Sequence, residues 1–268
     1  FFKTDINNTK KLKSLYKRYR FDIVIHLAGQ PGVRYSIENP ESYISANLNG
    51  FFNILNISTK FKVKHFIFAS TSSVYGEQKK FPFNEKMNTD NPLSLYAATK
   101  KSNEVIAYSY SNIYKIPVTG LRFFTVYGPF GRPDMSLFSF VKNIYEKNPI
   151  KIFNKGSHVR DFTYIDDCSN FIKKIINKKP KGKIPYQILN VGNGKPVKLM
   201  KYINSIEQSL NKKSKRKYIN LQKGDIKKTH ANIKKIQKIT KYFPKTTITL
   251  GIKKFVNWYR KNNLNKNL

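Results

Sequence analysis

The sequence has few acidic residues and a single cysteine. Its 268 residues include 15 aspartates and glutamates against 51 lysines and arginines, a formal net charge of +36. The lone Cys168 excludes an internal disulfide framework. No apolar run approaches the roughly 18 residues that a membrane span requires, and the histidines lack zinc-site spacing. We therefore expect no membrane span and no metal site. Without a secretory signal pattern, we expect a cytoplasmic protein.

The excess of basic residues admits two interpretations. Clustered lysines and arginines can bind nucleic acids by releasing counterions from phosphates. Alternatively, the charge is a compositional bias of a solvated surface. The lysines run through the whole chain rather than forming one arm or one platform spaced by aromatic residues, which favours the second interpretation. We expect no specific nucleic-acid partner, although a positive surface still attracts anionic ligands.

Apolar runs bounded by turn residues alternate with helical patterns, which is typical of a parallel sheet covered by helices on both faces. The predicted strands span 23–28, 66–69, 117–124, 150–153 and 188–191, and the predicted helices span 41–60, 94–114, 135–147 and 165–177. The basic run 211–217 predicts an exposed loop, and the tail is predicted to be helical. Ligands bind beyond the carboxyl ends of strands in such folds. Gly29, Thr71 and Thr125 each follow an apolar strand, so we expect their segments to meet in one crevice.

Tyr96 and Lys100 stand four residues apart in the predicted helix 94–114, and therefore share one helix face. Tyrosine has an ordinary pKa of about 10. A nearby ammonium group favours the phenolate, which can then act as a general base closer to neutral pH. Many helices contain this spacing by chance, so its meaning depends on the segments around it.

Three further segments accompany this pair in a fixed order: 70–76, 121–129 and 160–167. Together the four blocks resemble the extended short-chain dehydrogenase/reductase family of NAD-dependent epimerases and dehydratases, and the resemblance covers residues 5–225. Within that family, the segments closest to the UDP-glucuronate 4-epimerases are 32–36, 92–101 and 131–135.

The resemblance implies roles for individual residues. Tyr96 would be the catalytic base, Lys100 would lower its pKa and hold the nicotinamide ribose, and Thr71 would bond the sugar's 4-hydroxyl group. The residues implied to bind NAD are Asp5, Ile6, Leu27, Ala28, Asn47, Ser70, Tyr96, Lys100 and Phe123. The residues implied to bind substrate are Ser72, Ser73 and Thr125 at the carboxylate, Arg132 and Arg160 at the pyrophosphate, and Asp225 at the uridine ribose.

Several of these residues also have simpler interpretations. Phe123 could be a core residue, Asn47 a surface residue of its helix, and Asp225 an ordinary turn residue. Arg160 could form a structural ion pair with Asp161. The pair at 166–167 indicates a helix start rather than a metal site, because carboxylates suit a helix N-terminus.

The implied reaction is epimerisation at C4 of a UDP-sugar, UDP-glucuronate to UDP-galacturonate through a 4-keto intermediate, in nucleotide-sugar metabolism for polysaccharide biosynthesis. Related dehydratases carry Asp-Glu after the threonine, and decarboxylases carry a glutamate just before Val-Tyr-Gly. Here Ser72 and Ser73 occupy those places. Thr125 stands where galactose-type epimerases carry asparagine. Two alternatives stay open: a 4-epimerase of another UDP-hexose, and an inactive or basic binding protein on the same scaffold.

The resemblance also implies a doubly wound, Rossmann-like parallel sheet with a smaller C-terminal α/β substrate lobe. Residues 1–130 would form a partial dinucleotide-binding domain, and residues 131–268 mainly a substrate-binding lobe with segments returning to the first domain. The family's opening strand and GxxGxxG turn are not found, so we expect roughly 55–60 residues to be absent. We then expect strand 23–28 at an open sheet edge, or next to an unfilled groove, and a chain that does not hold NAD alone. The complete protein is expected to be a homodimer.

Overall fold

The computed structural model describes residues 1–221 and 224–264. Within them the strands are β1 (Ile23–His26), β2 (His65–Thr71), β3 (Val118–Phe123), β4 (Thr125–Tyr127), β5 (Ile150–Phe153), β6 (Val159–Tyr164), β7 (Tyr186–Val191), β8 (Pro196–Lys198) and β9 (Arg216–Ile219). The α-helices are α1 (Thr9–Tyr19), α2 (Tyr35–Glu38), α3 (Pro40–Tyr43), α4 (Phe51–Lys60), α5 (Leu95–Tyr114), α6 (Ser136–Tyr145), α7 (Ile165–Ile175), α8 (Leu199–Leu210), α9 (Lys234–Thr240) and α10 (Ile248–Tyr259). None of the helices in these ranges has the length and apolar character needed to cross a membrane.

A parallel four-stranded sheet in the order β1-β2-β3-β7 forms the centre of the molecule. Strand β2 alternates its side chains between the two faces, since Phe66 and Phe68 pack with α1, α4 and α5 whereas Ile67 packs with α7 and α9. Helices therefore cover both faces, which confirms the fold class predicted from the sequence. Among the described residues β1 pairs only with β2, and it lies at the edge where we expected it.

The second half of the chain builds two small sheets, β4-β6-β8 and β5-β9, around a separate apolar cluster. Helices α6, α8 and α10 supply most of that cluster, with Phe162 and Tyr202 stacked at a ring-centroid distance of 4.3 Å. One later segment belongs to the central sheet, because β7 pairs with β3 in parallel. The division of the chain at residue 130 stays a prediction.

The structure corrects three sequence-based expectations. Helix α1 was not predicted, because closely spaced lysines obscure the apolar period of Leu12 and Tyr16, its two buried residues. The predicted helix 41–60 contains a π-helical stretch, Ile44–Gly50, where the side chain of Ile6 occupies the space that a Cβ on Gly50 would need. The run 211–217 is not wholly loop. Arg216 begins β9 and pairs with Ile150, because a strand with exposed side chains can still pair through its backbone.

Two predicted helix starts are confirmed, one of them by a capping contact. The Ser94 hydroxyl accepts a hydrogen bond from the Ala97 amide at the start of α5. Helix α7 begins at Ile165 with Asp166 and Asp167 in its first turn. The cap of α5 also fixes where the helix begins, and thus places Tyr96 in the first turn, beside the end of β2.

Candidate active site

A cavity of about 740 Å³ opens at the carboxyl ends of β2 and β3, within the range of ligand pockets. Its walls carry Phe123 from the set assigned to the cofactor and most of the residues that the sequence assigns to catalysis and substrate, namely Thr71, Ser72, Ser73, Tyr96, Thr125, Arg132, Arg160 and Asp225. The segments after β2 and β3 thus meet as predicted. Gly29 itself does not line this cavity, although the neighbouring Gly32 does.

Tyr96 and Thr71 meet where the first turn of α5 passes the end of β2. Burial raises the pKa of the Tyr96 phenol above its ordinary value, whereas a hydrogen bond with the Thr71 side chain and the positive charge of Arg132 act to lower it. The two side chains therefore interact in the cavity, and the sharing of a proton between them stays a prediction. The ring of Tyr43 packs edge-on against Tyr96 at a centroid distance of 6.2 Å.

Lys100 lies deeper than the sequence suggests. It is buried, and its Nζ donates a hydrogen bond to the Ala69 carbonyl at 3.2 Å. Burial lowers the pKa of Lys100 to about 8. The cation that acts on the Tyr96 pKa in this structure is Arg132. The expected effect of Lys100 on that pKa is thus not seen, because the ammonium group lies toward β1 and β2. There burial, together with the Lys100 charge, lowers the pKa of His26 to about 4.

Asn47 is a buried residue, so its interpretation as a surface residue is wrong. Its amide exchanges two hydrogen bonds with the Gln30 backbone, at 2.7 and 3.0 Å, and donates a third to Thr99 on α5 at 3.1 Å. Gly29 fits beside it with φ +156°, and a Cβ there would lie 2.8 Å from Asn47 Oδ1 and 3.2 Å from Lys100 Nζ. Asn47 therefore anchors the loop after β1 to the helix that carries Tyr96.

The other residues assigned to the cofactor lie outside the cavity wall, except Phe123. Leu27 and Ala28 follow the end of β1 and are exposed. Asp5 is exposed, and its Oδ1 accepts a hydrogen bond from the Asn7 amide at 2.7 Å. The Ser70 hydroxyl is directed away from the cavity, because it donates to Glu104 at 2.6 Å. A contact between Ser70 and a cofactor could therefore involve only its backbone.

The hydroxyl groups expected to hold a sugar carboxylate lie together. Ser72 and Ser73 form a short 3₁₀ turn directly after β2, and Thr125 begins β4 beside them. Thr71 caps this turn, accepting a hydrogen bond from the Ser73 amide at 3.2 Å and donating one to the Ser73 hydroxyl at 3.3 Å. The cavity wall next to Tyr96 is thus rich in neutral hydroxyl donors rather than carboxylates.

The cavity wall also carries ion pairs. Arg132 pairs with Asp134 through Nε and Nη2. Arg160 Nη2 donates to Asp225 Oδ1 at 2.9 Å, and a pairing of Arg160 with Asp161 is therefore wrong. Asp161 lies on the other side of β6, fully buried, where it accepts hydrogen bonds from three backbone amides, those of Asn193, Gly194 and Ala231.

Comparison with known proteins places this site in a family. Residues 1–192 match the model of the NAD dependent epimerase/dehydratase family. The chain belongs to this family. It is 45% identical over 263 residues to the UDP-glucuronate 4-epimerase of Thermodesulfobacterium geofontis, covering 98% of this chain and 80% of the relative. It is also 45% identical to Protein CapI of Staphylococcus aureus, covering 97% of this chain and 82% of the relative.

Solved structures agree with the family assignment. The structure of UDP-glucuronic acid 4-epimerase from Bacillus cereus, in complex with UDP-glucuronic acid and NAD, superimposes with a TM-score of 0.91 at 33% identity. That match covers 97% of this chain and 81% of the other. The UDP-glucose 4-epimerase of Thermotoga maritima gives a TM-score of 0.91 at 27% identity, covering 97% and 84%.

The residues near Lys100 fit the dinucleotide that the epimerase/dehydratase family uses. Among the described residues, the one hydrogen bond donated by the buried Nζ goes to a carbonyl group, although an ammonium group has three hydrogens to donate. Because residue 29 is a glycine, no Cβ atom occupies the space next to Lys100 Nζ. A ribose hydroxyl group suits such a buried donor.

Sequence reasoning missed several residues of this family member's site. His158 lines the cavity two residues before Arg160, on the same side of the chain segment that enters β6. Asp134 holds Arg132, and Tyr43 donates to the carbonyl groups of Pro31 or Gly32 at 2.8 and 2.7 Å. The i, i+2 spacing of His158 and Arg160 was the available signal, whereas the contacts of Tyr43 had none in the sequence.

A buried ion pair connects helix α5 to the central sheet. Glu104 on α5 accepts two hydrogen bonds from Arg122 on β3, at 2.9 and 2.7 Å, and one from Ser70. Both charged side chains are about 95% buried, with 5% and 4% exposed. Burial alone would lower the pKa of Arg122, but the Glu104 carboxylate outweighs it and raises that pKa. This cluster ties α5 to the two central strands.

Proposed function

We propose that the protein is an NAD-dependent 4-epimerase of UDP-sugars that interconverts UDP-glucuronate and UDP-galacturonate. The observation that carries the proposal is the Thr71–Tyr96 hydroxyl pair, set in a cavity whose neighbouring positions are Ser72 and Ser73. The similarity to UDP-glucuronate 4-epimerases supports the same substrate. A carboxylate at either serine would favour water loss or decarboxylation by the family resemblance, and neither position carries one.

In the proposed mechanism, bound NAD would supply the redox chemistry at C4 of the sugar. Tyr96, as phenolate, takes the proton of the 4-hydroxyl group and later returns it. Thr71 passes or shares that proton and orients the hydroxyl group. Lys100 and Asn47 position the ribose side of the site, and Phe123 contributes an apolar wall where it lines the cavity.

The sugar carboxylate needs firm positioning, because oxidation at C4 makes the intermediate a β-keto acid that can lose CO₂. Ser72, Ser73 and Thr125 can hold the carboxylate with neutral hydrogen bonds. The orientation they impose would keep the breaking C–C bond out of alignment with the carbonyl group. Arg132 and Arg160 supply positive charge for the pyrophosphate, and Asp225 offers acceptors for the ribose hydroxyl groups.

A direct assay tests this function. The purified protein, supplied with NAD⁺ and UDP-glucuronate, is expected to produce UDP-galacturonate with no net formation of NADH, as followed by anion-exchange chromatography and absorbance at 340 nm. UDP-glucose serves as the control and is expected to react far more slowly. Release of CO₂ with formation of a UDP-pentose would contradict the epimerase assignment, as would preferential conversion of UDP-glucose.

The variant Thr71→Val is expected to shift the rate profile to higher pH. The Thr71 hydrogen bond lowers the Tyr96 pKa, and its removal raises that pKa. Because the phenolate is the active form, kcat/KM rises with pH through the pKa of Tyr96, and in the variant this rise comes at higher pH. At neutral pH we expect turnover to fall roughly 10- to 100-fold. Thr71→Ser retains a hydroxyl group, and its profile should stay close to that of the parent.

The proposal includes a homodimer and a cytoplasmic location. Support for the dimer comes from α4 and α5, which lie side by side and expose several apolar side chains: Phe52, Val105, Tyr108, Ile113 and Tyr114. Apolar surface of this kind marks association sites. Light scattering on the purified protein at several concentrations measures the oligomeric state.

A further inference from the structure

The segment 225–229 is registered against β6 by its backbone. The Val159 amide donates to the Lys227 carbonyl at 3.1 Å, and the Thr229 amide donates to the Val159 carbonyl at 3.0 Å. Arg160 adds a side-chain hydrogen bond from Nη1 to the Lys227 carbonyl at 3.0 Å. These contacts bring Asp225 opposite the start of β6, but a backbone ladder leaves the rotation of the Asp225 carboxylate undetermined.

Two side chains on one side of the β6 segment restrict that rotation. Arg160 Nη2 lies 2.9 Å from Asp225 Oδ1, and His158 Nε2 lies 3.3 Å from Asp225 Oδ2. Positions 158 and 160 face the same way because side chains alternate along an extended chain. Each carboxylate oxygen thus has its own positively charged or proton-donating neighbour. Two such contacts fix the orientation of the carboxylate plane, whereas a single contact would leave the carboxylate free to rotate.

Among the described residues, His158 Nε2 has no hydrogen-bond partner other than the nearby Asp225 carboxylate. Its side chain is 5% exposed and lines the cavity, and no described group makes an aligned hydrogen bond with Nε2. A buried imidazole nitrogen without such a partner is costly. Asp225 Oδ2 is the acceptor within reach, and the interaction with His158 lowers the pKa of Asp225 together with the charge of Arg160, against the opposing effect of burial.

We propose that His158 is a positioning residue for nucleotide recognition, acting through Asp225. A carboxylate has about four lone-pair sites, so contacts with His158 and Arg160 leave one site on each oxygen for the two adjacent hydroxyl groups of a ribose. Both hydroxyl groups can donate at once only if the carboxylate plane faces them, and His158 holds it there. This inference rests on the proposed UDP-sugar specificity and adds a residue that sets nucleotide affinity without contacting the reacting carbon.

The test compares ligands that differ only in the ribose hydroxyl groups. Calorimetry measures the affinity of the purified protein for UDP and for 2′,3′-dideoxy-UDP. We expect His158→Leu to weaken UDP binding about tenfold, the scale of one hydrogen bond to a charged group, and to change dideoxy-UDP binding less than about twofold. His158→Gln places an amide nitrogen near the position of Nε2 and should restore most of the affinity, whereas the shorter His158→Asn should not.

Two further variants separate positioning from other roles. On an Asp225→Ala background, His158→Leu should cause no additional loss of UDP affinity, because the carboxylate through which it acts is gone. His230→Leu is the matched control: His230 Nε2 lies 3.2 Å from the Gly194 carbonyl, away from the cavity wall, and UDP affinity should be unchanged. In turnover assays His158→Leu should raise KM for the UDP-sugar while kcat stays within about twofold.

Three outcomes would overturn the inference. Equal losses for UDP and dideoxy-UDP would show a packing or phosphate effect rather than one on the ribose. A loss that persists with Asp225→Ala would show that His158 acts directly on the ligand. Rescue by Asn as well as by Gln would remove the geometric requirement. Because UDP binding is measured without catalysis, failure of the epimerase assignment would appear separately, as an absence of UDP-glucuronate turnover in a protein that still binds UDP.

Discussion

In the full-length protein, Tyr96→Phe is expected to reduce turnover at least about a hundredfold, the usual cost of removing a general base. The Tyr96 phenol interacts with Thr71 within the cavity. Among the cavity's described side chains, it is the one that matches the catalytic base of the family, and its phenolate form can accept a proton. Phenylalanine keeps the ring, and with it the edge-on contact with Tyr43. Fold and NAD content should therefore survive, and the loss should fall on kcat.

The measurements are kcat and KM with UDP-glucuronate, together with the NAD content of the purified variant. Tyr108→Phe is the control, because Tyr108 lies on the same helix with 46% of its surface exposed and its hydroxyl is remote from the cavity wall. Near-normal turnover in Tyr96→Phe would exclude the phenol as the base. An equal loss in Tyr108→Phe would instead indicate damage to helix α5.

Glu104→Gln is expected to destabilise the protein by about 3–5 kcal/mol, the range for leaving one partner of a buried ion pair uncompensated. The change leaves the Arg122 guanidinium buried without a charge partner and weakens the hydrogen bond from Ser70. Denaturant unfolding measures the effect as a lower transition midpoint. The matched control is Asp22→Asn, which removes the exposed ion pair with Lys64 and should cost less than about 1 kcal/mol.

A double variant, Glu104→Leu with Arg122→Met, separates the cost of an unpaired charge from the value of the pair itself. Replacing both charges by apolar side chains removes the uncompensated guanidinium, so we expect much of the lost stability to return. Arg122 also lies over the Tyr75 ring at 4.8 Å, and methionine keeps an apolar contact there. If Glu104→Gln proved no more destabilising than Asp22→Asn, the buried pair would have no special role in stability.

Local sequence patterns predicted the parts of the fold that depend on nearby residues. The apolar run at 66–69 and the helical period from Ser94 both correspond to real elements, and their order placed Thr71 and Tyr96 at one cavity. These predictions succeed because periodicity and helix capping act over a few residues. The parallel sheet follows from the alternation of strands and helices, which the structure bears out.

Contacts between distant residues could not be predicted in the same way. Arg160 pairs with Asp225, 65 positions away, rather than with its neighbour Asp161, because adjacent residues on a strand point to opposite sides. The position of the Lys100 ammonium depends on how α5 packs against β2, where it donates a hydrogen bond to the Ala69 carbonyl. Spacing within one helix defines a shared face but not the depth at which each side chain lies.

Strand β6 carries a cation toward the cavity at Arg160 and a carboxylate toward the core at the next residue, Asp161. One side of this strand therefore faces the cavity and the other faces the core. Whether a residue lies on one side or the other depends on whether its position is even or odd, because side chains alternate along a strand. Inserting or deleting one residue between Val159 and Tyr164 would exchange the two sides, placing a carboxylate at the proposed pyrophosphate site and a guanidinium against the three amides that Asp161 now satisfies. During evolution, length changes should thus be confined to the flanking loops, whereas substitutions within β6 could alter ligand preference and stability independently of each other.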